Sequence, residues 1–238
     1  MRRALSLTVL LVLAVGLASA LRGPSVGAEA QRAGAIGDDQ VNFGRRYTSR
    51  APEETGAANV VTSVVVVYRG LDTLGEVTVL FIAATGLAAL LYTGKRRRSE
   101  REAVRASLIV FTGCRFLFPL ILLFGAYIFV HGHLTPGGGF QGGAIVASGF
   151  LLIYLGCRER EPGTHKFNAV ESLSGLAFVL IGLIGLIVGG SFLLNFLPQG
   201  SPYALLSAGI LPVVYVFIGF KVGCELGGIV GDLSGARR

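Results

Sequence analysis

Two acidic residues, Asp72 and Glu76, point most clearly to chemistry in this 238-residue chain. They stand four positions apart at the start of an apolar run, Val77 to Tyr92, and positions i and i+4 of a helix share one face. Two neighbouring carboxylates in apolar surroundings resist being ionised together, so the pair can hold a proton or a small cation. Arg69, one turn earlier, is placed to pair with Asp72. The spacing predicts an ion or proton path, although Asp72 also suits a helix cap and Glu76 the positive helix end.

A second candidate is the segment HGHLTPGGGFQGG, which begins at His131. His131 and His133 titrate near neutral pH and are suited to relay protons, although a structural role at the membrane interface explains them equally well. The glycines match G-x-G-x-x-G, but no strand precedes them, which excludes a dinucleotide site. Two histidines alone do not predict a metal site. The rest of the segment predicts a tight, pre-shaped turn between two spans, made of Thr135, Pro136, Gly137, Gly138, Gly139, Phe140, Gln141, Gly142 and Gly143.

The last apolar run carries a stripe of small residues and a pair of charges. Small residues at this spacing predict close helix packing, and they are Gly219, Gly223, Gly227 and Gly231. Lys221 and Glu225 lie i,i+4 in the same run and are expected to neutralise each other. Arg115 and Glu171, at the edges of other runs, are interpreted as snorkelling or paired groups. The sequence has no G-x-S-x-G, HExxH or CxxC pattern, so we expect a non-catalytic protein without a metal or cofactor.

The elements that position these residues are predicted to be membrane-spanning helices. The chain is 52% hydrophobic and 15% charged, with a mean hydropathy of +0.67, and several runs reach the roughly 20 apolar residues that cross a bilayer. The fold class is therefore all-α, a polytopic integral membrane protein. Asn59–Tyr68 is too short to cross alone and predicts a re-entrant or interfacial helix, or the upper part of the next span. The six predicted spans are Ala4–Leu21, Leu71–Tyr92, Leu108–Val130, Gln141–Leu155, Ala169–Leu194 and Tyr203–Ile229.

The charge distribution predicts the topology. The net charge is +7, and the basic residues cluster at the ends of apolar runs, as in proteins that contact anionic lipid rather than nucleic acid. The positive-inside rule places the loops Lys95–Arg105 and Arg158–Lys166 in the cytoplasm, together with both termini. We therefore expect a multi-pass protein of the cell (plasma or inner) membrane. Ala4–Leu21 is interpreted as a retained anchor, although Ala18–Ala20 also fits a signal-peptide cleavage site.

Two of these segments resemble components of the Mrp (Mnh) multisubunit Na⁺/H⁺ antiporter family. Asn59–Gly86, which contains RGLDTLGE, is similar to the small E-type (MbhE) module found at the C-terminal end of the large MrpA protein and alone in membrane-bound hydrogenase complexes. Arg115–Ala147, which contains HGHLTPGGGFQGG, resembles the MnhB (MrpB) protein. The resemblance predicts three regions: an E-like module over 1–94 with the anchor and the acidic helix, a basic cytoplasmic linker over 95–106, and a B-like four-helix membrane domain over 107–238.

The resemblance implies a membrane subunit of a Na⁺/H⁺ antiporter that lacks the large pumping half. Asp72 and Glu76 match paired acids implicated in ion passage, and Pro136 with its glycines matches the signature loop of MnhB. The implied partners are large A/D-like pumping subunits, a C-like subunit, membrane lipid, Na⁺ and H⁺. Two alternatives remain: a membrane-arm subunit of an energy-converting hydrogenase or related oxidoreductase, and a purely structural subunit. The transported cation and the stoichiometry are left open by the sequence.

Overall fold

The computed structural model describes residues 43–93, 106–156, 164–201 and 203–236. Residues Arg50–Arg238 form one compact unit. The other unit, Met1–Ser49, is described only over the first turns of the first helix. The predicted span Ala4–Leu21 and the basic run Lys95–Arg105 lie outside the described residues.

All regular secondary structure in the described residues is helical, which confirms the predicted all-α class. The helices are α1 (Phe43–Thr55), α2 (Val60–Thr62, continued by a π-helix over Ser63–Tyr68), α3 (Gly70–Thr93), α4 (Leu108–Val130), α5 (Gly139–Gly156), α6 (Thr164–Gly189) and α7 (Leu211–Ala236). Five of them, α3 to α7, are long and apolar enough to cross a membrane. A helix satisfies its own backbone hydrogen bonds, which a lipid environment requires. Five of the six predicted spans are thus found among the described residues.

Both bounds of α6 and of α7 differ from the prediction, since α6 begins at Thr164 rather than Ala169 and α7 continues to Ala236 rather than Ile229. Helix α6 ends at Gly189 rather than Leu194, because Gly190 adopts a left-handed φ of 77° and donates its N–H to Leu186 O at 2.9 Å. This is a glycine cap, which stops a helix. Helix α7 begins at Leu211 rather than Tyr203, because Tyr203 and other residues before Leu211 have positive φ angles that no right-handed helix allows. Apolar composition alone overestimated both ends.

The glycine-rich turn is also shorter than predicted. The expected turn ran to Gly143, but helix α5 begins at Gly139 and the last five residues of the motif are helical. A Cβ at Gly139 would lie 2.6 Å from Ile218 Cβ, and a Cβ at Gly143 would lie 2.8 Å from Val222 Cβ. These glycines therefore bring two helix backbones together, in addition to shaping a turn.

Helix α7 is the centre of the membrane domain. It contacts α3, α4, α5 and α6. Its fully buried apolar side chains recur at helical spacing and form one core cluster with residues of other elements; those on α7 are Leu211, Val214, Ile218 and Val222. Because α7 lies between α3 and α5, it determines how the acidic helix is placed relative to the glycine-rich loop.

The short helix α2 docks onto the loop between α4 and α5. The Asn59 side chain caps α2 by accepting from Val61 N at 3.1 Å, and its amide donates to Gly132 O at 2.9 Å and Thr135 O at 3.0 Å. Thr62 Oγ1 donates to Gly132 O at 2.7 Å and accepts from Tyr215 Oη at 2.9 Å. The segment is therefore a short separate element, as predicted, and it joins the acidic helix to the rest of the domain.

Candidate functional site

The predicted acidic pair lies on an exposed side of α3. Asp72 forms an ion pair with Arg69, and the two side chains are 52% and 63% exposed. Glu76 is exposed and has no ion pair within the described part of the chain. Asp72 is the third residue of α3, so it lies in the first turn and beyond the cap position. Within the residues that the structure describes, neither carboxylate is buried.

The exposed side of α3 is defined by its sequence spacing. Asp72, Glu76 and Val79 follow one another at i, i+4 and i+7 and are all exposed, Val79 to 66%. Val77 is 5% exposed and belongs to the core cluster that includes α7. The pair therefore lies beside the packed stripe of α3, on a surface that the described part of the chain leaves open.

The two histidines of the loop have different surroundings. His131 is partly exposed, its Nδ1 lies 3.0 Å from Tyr127 O, and its ring centroid lies 4.2 Å from that of Tyr127. His133 has no solvent exposure; its Nε2 lies 3.5 Å from Ala204 O, and its Nδ1 has no partner. Burial lowers the pKa of His133, the hydrogen bond to Ala204 opposes this, and the nearby His131 lowers it further. The structure does not bring either histidine into contact with Asp72 or Glu76.

The signature loop is a tight turn that leads directly into α5. Thr135 Oγ1 donates to His131 O at 3.3 Å, Pro136 is exposed, and Gly138 has a φ of 154°. Gly142 contacts α4 so closely that a Cβ there would lie 2.7 Å from Gly125 O. Phe140 is partly buried against the core, whereas Gln141 is exposed. The loop thus positions helices, and its backbone carbonyls hold α2.

The glycine stripe of α7 faces α4 and α5. A Cβ at Gly219 would lie 2.5 Å from Phe129 Cδ1, one at Gly223 would lie 3.1 Å from Val146 Cγ1, and one at Gly227 would lie 3.0 Å from Phe150 Cδ2. The fourth predicted member, Gly231, is buried. These distances are shorter than ordinary van der Waals contact, so side chains at the first three positions would push the helices apart.

A buried charged cluster was not predicted from the sequence as one site. Lys221 Nζ lies 2.9 Å from Glu225 Oε2 on its own helix and 3.4 Å from Glu171 Oε1 on α6. Lys221 and Glu225 are 6% and 2% exposed. The sequence signal is a lysine one turn before a glutamate near the middle of a span, and it predicts this pair. The third member could not be assigned, because sequence does not give the register between α6 and α7.

A groove of about 230 Å³ lies beside this cluster. Its walls are residues of α3, which include Thr78 and Phe81, and residues of α6, and Lys221 of α7 also lines it. The Lys221 ammonium lies 5.3 Å from the Phe81 ring centroid, within range of a cation–π contact. Among the described residues, no group of three or more His, Cys, Asp or Glu could hold a metal ion. Asp72 and Glu76 do not line the groove.

Family models match both parts of the chain. Residues 109–228 match the model described as a domain related to the MnhB subunit of Na⁺/H⁺ antiporters. Residues 2–108 match the MbhE model, which describes the E-type component of MBH. The first match covers half of the chain, and together the two matches span nearly all of it.

Individual proteins and solved structures are similar to the chain as well. An uncharacterised protein of Methanocaldococcus jannaschii is 32% identical over 191 residues, covering 69% of this chain and 72% of that protein. The A/B component of a probable K⁺/H⁺ antiporter from Rhizobium meliloti is 33% identical over 161 residues, covering 58% of this chain and 16% of that protein. The chain thus spans less than a fifth of this antiporter component.

Two solved complexes contain chains with the same fold. A chain of the membrane-bound sulfane sulfur reductase, an archaeal respiratory membrane complex, is 47% identical with a TM-score of 0.74, covering 98% of this chain and 97% of that chain. A chain of the Mrp complex from Dietzia sp. DQ12-45-1b is 29% identical with a TM-score of 0.67, covering all of this chain and 26% of that chain. Both similarities extend over both matched regions.

Proposed function

This chain belongs to the family of domains related to the MnhB subunit of Na⁺/H⁺ antiporters, and on that premise we propose that it is a membrane subunit of a multisubunit monovalent cation/proton antiporter. The chain itself is non-catalytic in this proposal. It contributes Asp72 and Glu76 to the path of the cation or the proton, and Arg69 adjusts the charge of Asp72. His131 and His133 of the loop are the further candidates for proton transfer.

The observation that carries the proposal is the exposure of Asp72 and Glu76 on a membrane-spanning helix. Carboxylates that face lipid are costly, and such residues usually face a partner helix or a hydrated passage. No described residue of this chain covers Glu76. We propose that a partner subunit lies on this side of α3 and that an ion path between the two subunits explains why acids are retained there.

The proposed assembly is based on the greater length of the related antiporter chains. The A/B component from Rhizobium meliloti is much longer than this chain, and the matched part of the Mrp complex chain is about a quarter of it. We propose that large A/D-like pumping subunits and a C-like subunit supply the remainder of the antiporter. Both termini lie in the cytoplasm in this proposal, because that orientation places the basic loops inside.

A second candidate function is a membrane subunit of a redox-driven, ion-translocating complex. A specific observation favours it: the similar chain of the sulfane sulfur reductase complex is 47% identical and covered over 97% of its length. In such a complex the same residues would couple ion movement to electron transfer in other subunits. The third candidate, a purely structural subunit, predicts that neither acid affects ion movement.

Purification of the native complex distinguishes the first two candidates. The chain, tagged in its own membrane, is expected to copurify with large antiporter subunits. Proteoliposomes of that complex should then exchange Na⁺ or K⁺ for H⁺ when a proton gradient is imposed, without an electron donor. Copurification with iron–sulfur or nickel subunits, together with ion movement only during electron transfer, would establish the second candidate instead.

The variant Glu76→Gln separates a path residue from a structural one. It removes the charge with little change in shape, and we expect it to reduce exchange at least tenfold in a complex of normal composition. Glu53→Gln is the matched control, since Glu53 is an exposed glutamate on α1 outside the membrane spans. Unchanged exchange by a fully assembled Glu76→Gln complex would remove Glu76 from the path.

A further inference from the structure

We infer that Glu171, Lys221 and Glu225 form a proton-binding site that exchanges protons with the groove between α3 and α6. This site is separate from Asp72 and Glu76. It goes beyond the proposed function, because the cluster would bind a proton whether the complex is driven by ion exchange or by redox chemistry.

The first argument is the charge of the cluster. With all three side chains ionised, two carboxylates and one ammonium leave one net negative charge. Lys221 lies close to the middle of the span Leu211–Leu233, where an uncompensated charge is costly. One bound proton makes the cluster neutral. The charge count therefore favours a state in which one of the two carboxyl groups is protonated.

The second argument identifies the oxygen that takes the proton. Glu225 is 2% exposed, and its Oε2 accepts from Lys221 at 2.9 Å, whereas its Oε1 is buried and has no hydrogen-bond partner among the described residues. A buried carboxylate oxygen without a donor is destabilising, because it has lost water and gained nothing in return. Lys221 can deliver a proton to Oε2, and rotation of the neutral carboxyl group about the Cγ–Cδ bond then carries the O–H to the position of Oε1. Glu225 is therefore the residue that stores the proton.

The third argument is the route between this oxygen and water. Glu171 and Lys221 line the groove, and the Glu171 side chain is 17% exposed. Glu225 lies behind Lys221 and does not line the groove. When Lys221 gives a proton to Glu225, an Nζ–H bond breaks and an O–H bond forms. A proton from a hydronium ion in the groove binds the Glu171 carboxylate and passes to the neutral amine, so the carboxylate of Glu171 and the ammonium of Lys221 are both restored.

The elements around the cluster supply few other charges. Helix α5 carries no charged residue, and the one charged residue of α4, Arg115, is exposed and lies over Phe111 with its Cζ 5.4 Å from the ring centroid. The acids of α3 are on its exposed side. On α7 itself, Asp232 is exposed and outside the cluster. Within the side chains that the structure describes, Glu171 and Lys221 are thus the charged groups that act directly on Glu225.

A proton suits the cluster better than a metal cation does. Hard cations take six or more oxygen ligands in proteins. Here the space between the two carboxylates is occupied by the Lys221 ammonium, which repels a cation. Competition by Na⁺ is therefore not expected at this site.

The test is infrared spectroscopy of the purified complex, with the full chain carrying glutamate labelled with ¹³C at the side-chain carboxyl. We expect a protonated-carboxyl band that shifts in D₂O. Glu225→Gln should lose the intensity of one carboxylic acid. Asp232→Asn, a matched control on the same helix, should retain the band. An unchanged band in an assembled Glu225→Gln complex would overturn the inference.

A second variant tests the site when Glu225→Gln fails to assemble. Glu171→Gln leaves the storage residue in place and removes the neighbouring negative charge, so the Glu225 band should disappear at a lower pH than in the unmodified complex. If the Glu225 band disappeared at the same pH in both complexes, Glu171 would not influence the protonation of Glu225, and the proposal would be contradicted. A band that Na⁺ displaces at constant ionic strength would indicate a metal-cation site and would likewise overturn the proposal.

Discussion

Helices α3 and α7 carry charged residues at the same i,i+4 spacing, but the two pairs lie in opposite surroundings. Asp72 and Glu76 have the same sign and lie on an exposed side of α3. Only 6% of the α3 span is buried. Lys221 and Glu225 have opposite signs and lie inside, on α7, of which 56% of the span is buried. Among the described residues, Glu171 adds a second carboxylate to the pair on α7, whereas Asp72 and Glu76 are left exposed. The surroundings of the charges are thus provided by described residues at α7 and not at α3.

The sharpest test of this difference is to remove the cation of one ion pair in each region. Lys221→Met leaves the buried Glu225 and the partly buried Glu171 without their cation, and breaking a buried pair in this way costs roughly 3–5 kcal/mol. Arg69→Gln removes the cation of an exposed pair, which contributes about 0–1 kcal/mol. The free energy of unfolding of the chain, measured in detergent by denaturant titration, should show this difference. If both variants lost the same free energy of unfolding, the burial of the charges on α7 would have no effect on stability.

Glycine substitutions test the same contrast through packing. Gly143→Ala places a Cβ 2.8 Å from Val222 Cβ and 2.9 Å from Gly219 O. Overpacking of this kind costs about 1–3 kcal/mol. Gly86→Ala on α3 meets nothing within 4 Å and should stabilise the helix by about 0.5–1 kcal/mol. The two variants should therefore shift the thermal midpoint in opposite directions, and a shared direction would contradict the packing described for α5 and α7.

Burial of His133 makes the stability of the fold depend on pH. Burial lowers the pKa of His133 below its ordinary value of 6.5, so the unfolded chain binds more protons than the folded chain between the two pKa values. Stability contributed by neutral His133 is present above about pH 6.5 and is lost as the pH falls toward the folded pKa. One such group gives a slope of at most about 1.4 kcal/mol per pH unit. His133→Gln should flatten the stability profile in this range, and an identical profile would show that His133 is not protected from protonation.

A small and local effect is expected where α7 meets α2. Tyr215→Phe removes the hydrogen bond from Tyr215 Oη to Thr62 Oγ1, worth about 0.5–1.5 kcal/mol, while Thr62 keeps its bond to Gly132 O. Tyr127→Phe is the control, because Tyr127 is a half-exposed tyrosine in α4, outside this contact. Hydrogen exchange at the amides of α2 should increase in the first variant and remain unchanged in the second.

Much of the fold follows from sequence because lipid imposes simple rules. The length and hydropathy of the apolar runs, and the charges at their ends, predicted five of the described helices. The span of α4 was predicted at its observed bounds. The end of α6 and the start of α7 were predicted wrongly for one reason. Apolar residues such as Leu193 and Leu205 continue beyond the two helices into the loop that connects them. In that loop, residues with positive φ angles prevent a helical backbone, and the Asn195 amide stabilises the loop conformation by donating to Ala208 O at 3.2 Å.

The candidate sites were predictable to different degrees. Asp72 and Glu76 were identified because both residues belong to one helix, and their spacing is visible in the sequence. Lys221 and Glu225 were visible for the same reason. Their link to Glu171 depends on how α6 and α7 are aligned, which is decided by side-chain packing between distant parts of the chain. The docking of Asn59 onto Gly132 and Thr135 is equally a property of tertiary structure.

The hydrogen bonds that hold α2 to the loop after α4 have an evolutionary consequence. Asn59 and Thr62 attach the acidic helix to the α4–α7 domain through contacts that do not depend on the peptide connection between Thr93 and Ala106. Gene fission at that connection would yield two polypeptides that already possess a matching interface. A single chain and a pair of separately encoded chains are therefore interchangeable solutions for the same assembly.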